Sequence, residues 1–279
     1  MTPEIQVVSS SAVVPTRDPR AANALPERDY TALQFIAAWY EVAQYQLEDA
    51  VFSGLSPTIV SRSVRRLRAA DYIAVERWNR VGLNLLRLTT RGRAVLLDRG
   101  MSEDAIFVPE KAVAVKDLAH HLWIVDAGLM LQRLGARMKA TPCWALRRRL
   151  AALRPAAIPD LLAFRLGSDD ETEAVIAIEV DLGGERLKNV FIPKLAVLRD
   201  TLAGWARDRP AAVMVLTVGP RRIAAMQTAI QAQIHQVPVV VFALPPQPGR
   251  PGLASLRASL APAIAPQGEA SRNEKKAEQ

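Results

Sequence analysis

The sequence predicts a multi-domain α/β protein whose larger part holds a central mixed sheet. Three observations carry that expectation. Apolar residues recur at helical spacing through residues 29–70 and give way to a short hairpin pattern. From about residue 117 to residue 244, strand-like and helix-like segments alternate. Between these stretches the loop GMSEDAIFVPEK, residues 100–111, breaks both patterns. The chain thus divides into residues 27–100 and 112–244. Residues 1–26 and 245–279 mix Pro, Ser and isolated charges without a period, a composition that predicts disorder.

A chain of 279 residues can bury two modest cores, and 50% hydrophobic with 23% charged residues is ordinary globular usage. No run approaches the roughly 18 apolar residues of a membrane span. The start, MTPEIQVVSSSAVVPTRDPR, lacks a basic segment followed by an apolar block, so no secretory signal and no membrane partner are expected. The expected location is cytoplasmic. Cys143 is the single cysteine, which excludes an intramolecular disulfide and a cysteine-based zinc cluster; it reads as a small buried hydrophobe.

The elements of the first part follow in order. DYTALQFIAAWYEV and YQLEDAVF are helical segments. In SPTIVSRSVRRLR, Ser56 suits an N-cap and Pro57 a first helical position. Val60, Val64 and Leu67 then share a buried stripe, leaving Thr58, Ser61, Arg62, Arg65, Arg66 and Arg68 mostly elsewhere on the helix. YIAVERW and LNLLRL read as strands around a turn containing Asn79 and Gly82, followed by a helix opened by Thr89 or Thr90.

The net charge of +8 concentrates here: residues 56–99 hold ten arginines against Asp71, Glu76 and Asp98, an excess of seven. Three helices and a basic hairpin resemble the winged helix-turn-helix fold, and LRLTTRGRAVL is similar to the end of the wing in many bacterial regulators of that kind. The resemblance implies double-stranded DNA as partner. Thr58, Ser61, Arg62, Arg65 and Arg66 would enter the major groove side, and Arg77, Arg80 and Arg87 would lie along phosphates. Winged helices also serve as protein-binding modules, the other reading of the same cations.

The second part predicts a helix over 117–134, an extended segment near Cys143–Leu146, and the strands DLLAFRL and AVIAIEVD. Further on come a helix, the strand AAVMVLTVG, the helix RRIAAMQTAIQAQIH and the strand VPVVVFAL. A turn centred near Asp170 pairs residues whose numbers sum to about 340, bringing Asp160 opposite Glu179 to Asp181. Glu179 and Asp181 share a strand face. Three carboxylates there would repel unless a divalent cation, a lysine or water compensates them. Leu187, Phe191, Lys194, Leu198 and Leu202 share a helical stripe, so Lys194 is a candidate cation among apolar neighbours. Pro193 either kinks that helix or starts a second one.

This order of elements resembles the PD-(D/E)XK nuclease fold, with Pro159-Asp160 as its PD and Glu179 as its second acid. Asp181 stands where that fold usually has lysine, and Lys194, or Lys188, would be the displaced counterpart. The resemblance implies Mg²⁺ held by Asp160 and Glu179, with Asp181 as a third ligand, and Lys194 orienting the attacking water. The other reading is a structural ion pair in a fold that no longer cleaves. Elsewhere, His120 and His121 point about 100° apart on a helix and read as packing or polar contacts. His235 stands alone near a helix end, and LGGE (182–185) lacks a nucleotide loop's lysine.

Taken from 29 to 244, the chain is similar to the replication-relaxation family of bacterial plasmids and mobile elements. LAHHLWIVDAGLMLQRLG, PDLLAF and IEVDLGGERLKNVFIPKLAVLRD occur in that family's order. The resemblance implies DNA binding tied to plasmid replication, transfer or transcriptional control, without a settled enzymatic role. The alternatives are a Mg²⁺-dependent endonuclease targeted by the winged helix, and an assembly module for another replication or transfer protein. A homodimer is among the expected partners.

Overall fold

The computed structural model describes residues 25–106, 108, 111–134, 138–149, 157–166, 172–206, 209–233, 235–245 and 247–250, with 252, 254 and 258. It is a mixed α/β protein with two sheets, one of three strands and one of five.

The first part runs α1 (Glu27–Trp39), β1 (Glu41–Ala43), α2 (Gln44–Val51), α3 (Pro57–Ala69), β2 (Ile73–Trp78), β3 (Leu83–Leu88) and α4 (Thr90–Asp98). The strands lie in the order β1-β3-β2, all antiparallel. α3 buries Val60, Val64 and Leu67 as their spacing predicts, together with Ser63. Ser56 occupies the N-cap by its backbone, but its side chain makes no capping bond. The cap of α4 is Thr89, whose hydroxyl accepts from Gly92 N at 3.0 Å and donates to Asp71 O at 2.6 Å.

The second part runs α5 (Val115–Leu134), β4 (Met138–Pro142), α6 (Cys143–Arg149), β5 (Leu161–Leu166), β6 (Thr172–Asp181), α7 (Ile192–Ala206), β7 (Ala211–Thr217), α8 (Pro220–Gln231) and β8 (Val239–Ala243). The sheet order is β4-β5-β6-β7-β8, with antiparallel pairs up to β6 and parallel pairs after it. α5 covers one face over Leu161, Ala163, Ile178, Val180, Met214 and Leu216. α7 and α8 cover the other over Leu162, Val175, Ala177, Val213 and Val215. Alternation along each strand thus feeds two helical layers.

Two local expectations are corrected, and one left open is resolved. Residues 143–149 form a helix, and the strand precedes it at 138–142; CWALRRR is rich in helix formers, and Pro142 is tolerated because β4 is an edge strand. Pro193 starts a helix: a wide π turn over Leu187–Phe191 leads into α7, and Pro193 is its second residue, where a missing N–H costs little. The packed chain also reaches beyond the expected limits. Leu25 is buried, and Arg250 forms an ion pair with Glu48 of α2. Gly252 lies so close to Trp123 that a Cβ would stand 2.9 Å from the ring. Residues 1–24 and most of 255–279 lie outside the described residues.

The two parts share one core. A single apolar cluster runs from Leu25 through Trp39, Leu67 and Leu96 to Trp123, Met130, Ile178 and Leu244. α5 is its hinge of contacts. Asp126, fully buried, accepts from Tyr45 Oη and from Gln46 Nε2, each at 2.7 Å, and Gln46 also donates to Leu122 O. Burial lifts the Asp126 carboxyl to about 7, although both hydrogen bonds pull it down. His121 bonds Glu41 O at 2.7 Å, and burial lowers its pKa to about 4, so it is neutral. Among the described residues no helix is long and apolar enough to cross a membrane.

Candidate nucleic-acid interface and acidic site

Sequence dictates the character of the α3 surface. Its four buried residues leave the rest of the helix to water, and Thr58, Ser61, Arg62, Arg65, Arg66 and Arg68 are all exposed. Asp29 of α1 sets the helix's rotation: almost wholly buried, it accepts from Ser63 Oγ and from Arg66 Nε, each at 2.5 Å. Arg66 is therefore a strut as well as a surface cation. Arg62 and Arg68 make no ion pair among the described residues, and Arg65 Nε caps Ser61 O at 3.3 Å.

The hairpin sorts its arginines. Arg80 is exposed at the tip; Arg77 is exposed too and donates to Asn84 Oδ1 at 3.0 Å. Gly82 turns the chain there at φ +69°, a conformation that costs other residues energy. Arg87, expected along phosphates, is half-buried between Glu41 at 3.3 Å and Glu76 at 2.9 Å. Glu41 is fully buried, with its carboxyl pKa raised by desolvation against the pull of Val113 N–H and of Arg87. Arg87 thus compensates a buried acid, which the linear sequence does not reveal.

The acidic site forms where β5 begins and β6 ends. Leu161 pairs with Ile178, so the register continues to Asp160 opposite Glu179, a sum of 339. Glu179 is 2% exposed and accepts from Lys194 Nζ at 2.7 Å, across from the first turn of α7. Asp160 Oδ2 accepts from Val180 N at 2.9 Å and lies 3.1 Å from His120 Nε2 on α5. Two acids thus meet two bases. Lys188 is exposed, so Lys194 is the lysine that reaches Glu179.

The site's electrostatics follow from burial. Desolvation first, then the charge of Asp160, lifts the Glu179 carboxyl to about 8 against the pull of Lys194. Burial disfavours protonated His120, but the hydrogen bond and charge of Asp160 outweigh it, so its pKa is raised. Lys194 behaves likewise, burial being overcome by Glu179. Cys143, whose N–H donates to Asp160 O at 2.8 Å, has its thiol pushed up to about 11 by burial and the nearby acids; it is no thiolate nucleophile.

Asp181 does not join the pair. Arg222 grips it with Nε at 2.5 Å and Nη2 at 2.9 Å, and Thr217 donates from the neighbouring strand at 3.0 Å. The alternation that put Glu179 and Asp181 on one face holds. Two residues of rise, however, separate them by roughly 6–7 Å and deliver Asp181 to α8. Among the described residues no group of three His, Cys, Asp or Glu side chains has metal-holding geometry. Asp160 and Glu179 alone fit a cation that keeps most of its water, and the buried Glu179 Oε1, without a hydrogen-bond partner, is the atom such an ion would meet.

His120 is the residue sequence reading missed. Its signal was present in the His120-His121 pair on one helix, since neighbours about 100° apart must serve different surroundings. Arg222 carried no signal, because only the fold brings α8 to the end of β6. Comparison with protein-family models, with curated proteins and with solved structures gives no match to this chain.

Proposed function

We propose that this protein binds double-stranded DNA through a winged helix-turn-helix formed by α1 to α4, with α3 as the major-groove helix and the β2–β3 hairpin as the wing. One observation carries the reading: α3 presents Thr58, Ser61, Arg62, Arg65 and Arg68 to solvent on a helix locked from behind by Asp29. Cations on an element that fits the groove supply phosphate affinity and base contacts together. Following the resemblance set out above, the DNA belongs to a plasmid or mobile element, and the activity is control of replication, transfer or transcription.

The test is Arg62→Ala with Arg65→Ala in the full chain. The double variant is expected to lose most of its affinity and to lower the slope of log affinity against log salt by about one for each of the two that meets a phosphate and not a base. Binding that is unchanged and insensitive to salt sinks the reading.

The acidic site supports a second reading, a PD-(D/E)XK-type endonuclease, on one observation: the unpartnered Glu179 Oε1 buried beside Asp160 and Lys194. In it Asp160 and Glu179 hold Mg²⁺, which supplies Lewis acidity toward a phosphodiester and its attacking water when bound. Lys194 neutralises Glu179 and stands ready to orient that water, and His120 holds Asp160 in place. Wild type and Glu179→Ala, incubated with supercoiled plasmid and Mg²⁺, Mn²⁺ or EDTA, decide between the readings. Metal-dependent nicking lost in the variant makes the chain an enzyme. A mobility shift without nicking leaves the four side chains as a structural cluster.

A further inference from the structure

The exposed apolar residues of the described chain are few, and two of them fall on the proposed DNA-reading surface. Leu55 is 37% exposed in the turn before α3, and Ile59 is 36% exposed in the helix's first turn. They stand four residues apart, beside Thr58 and Arg62, on a segment otherwise given to polar and cationic groups. A β-branched aliphatic exposed in a helix contributes less to helix stability than the alanine or lysine that solvent would accept there. Ile59 also lines the open groove between the start of α1 and α3, with Phe52, Arg62 and Arg66 around it.

The position decides what such a side chain can meet. In helix-turn-helix docking the N-terminal residues of the recognition helix approach base edges, and later turns approach the backbone. Ile59 lies in the first turn, while Arg65, Arg66 and Arg68 belong to the later turns. The major groove presents one apolar group, the C5-methyl of thymine. The surrounding arginines give the charge complementarity that brings a duplex to this surface.

On the strength of the DNA reading above, we infer that Ile59 is a specificity-determining residue that packs on a thymine methyl, so that the target carries thymine at a fixed place within each recognised element. Arg62, one turn further along and exposed, is the fork beside it suited to the O6 and N7 atoms of guanine.

The experiment selects duplexes from a random library with the full chain, then replaces each thymine of the best site singly by deoxyuridine, which removes only the methyl. Wild type is expected to lose about three- to fivefold in affinity at one position, the worth of one buried methyl. Ile59→Ala, a change at an exposed site that leaves the fold intact by circular dichroism, is expected to bind more weakly and to treat thymine and uracil there alike. Thr58→Ser, which removes the only other exposed methyl in that turn, is expected to keep the discrimination. Full discrimination in Ile59→Ala, or a selected site indifferent to every replacement, overturns the inference while leaving DNA binding standing. Failure to bind any duplex overturns the DNA reading and this inference with it.

Discussion

Replacing Lys194 by Met removes the cation that meets Glu179 while keeping most of the side chain's apolar bulk. Glu179 is 2% exposed, lies beside Asp160, and has its carboxyl lifted to about 8 by burial and by that neighbour. Losing one partner of a buried pair costs about 3–5 kcal/mol. The Lys194 side chain is 37% exposed, so solvent already screens the pair, and the lower end, about 3 kcal/mol, is expected. The sign with pH follows from the raised pKa. Below the ordinary carboxylate range Glu179 carries its proton in both folded and unfolded chains, and the lysine adds little. As pH rises through about 8 the wild-type carboxyl gives up its proton to the pair, whereas in the variant the lost pull of Lys194 leaves Glu179 protonated to higher pH, so the deficit grows with pH from there. Urea unfolding of Lys194→Met is therefore expected to show a small deficit at pH 6 and a larger one at pH 9, still growing toward about 3 kcal/mol. Glu179→Gln with Lys194→Met, which buries no charge at that position, is expected within about 1 kcal/mol of wild type at both pH values. Equal deficits for Lys194→Met at the two pH values, or a double variant showing the sum of the single losses, would refute the pair as described.

Three further outcomes follow from the shared core. Asp126 keeps its proton to about pH 7 in the folded chain and loses it near the ordinary carboxylate value when unfolded, so stability falls as pH rises between those values. Asp126→Asn is expected to flatten that fall, by up to about 4 kcal/mol between pH 4 and pH 8 in urea titrations. Gly128 lies against the Trp39 ring, and any Cβ there overlaps it, so Gly128→Ala is expected to cost about 1–3 kcal/mol and to lower the thermal midpoint. Cutting the chain at residues 107–110 separates Tyr45 and Gln46 from Asp126, and Trp39 from α5; circular dichroism and near-ultraviolet spectra are expected to show neither fragment natively packed alone.

Much of this architecture was legible because it rests on periodicity. Val60, Val64 and Leu67 announced α3 and its buried stripe. The sum rule for β5 and β6 missed the true register by a single residue. Lys194 was legible for a sharper reason: a lysine in an apolar stripe needs a carboxylate, and the acids at the near end of the facing strand are Glu179 and Asp181. What stayed hidden depends on contacts between distant elements. Nothing near Arg87 in sequence says that Glu41 is buried beneath it, 46 positions earlier, or that Arg222 closes on Asp181. The helix at 143–149 was missed because a short apolar run has no period long enough to tell strand from helix.

α5 ties the two sites together in a way that neither shows alone. Adjacent residues of one helix face opposite duties: His120 meets Asp160 at the acidic site, and His121 meets the backbone of β1. Two turns later Asp126 holds α2, the helix that precedes α3 in the proposed recognition unit. The apolar core between the two parts is continuous, so α2 and α3 are packed onto α5 and not joined to it through a linker. The helix that Asp126 fixes against α2 is the one that carries His120 to Asp160. Whether the acidic site cleaves DNA or only braces the sheet, one of its members, His120, stands on the helix that seats the proposed recognition unit. The two functional hypotheses therefore concern one mechanical body, and variants at Asp126 or Gly128 bear on both.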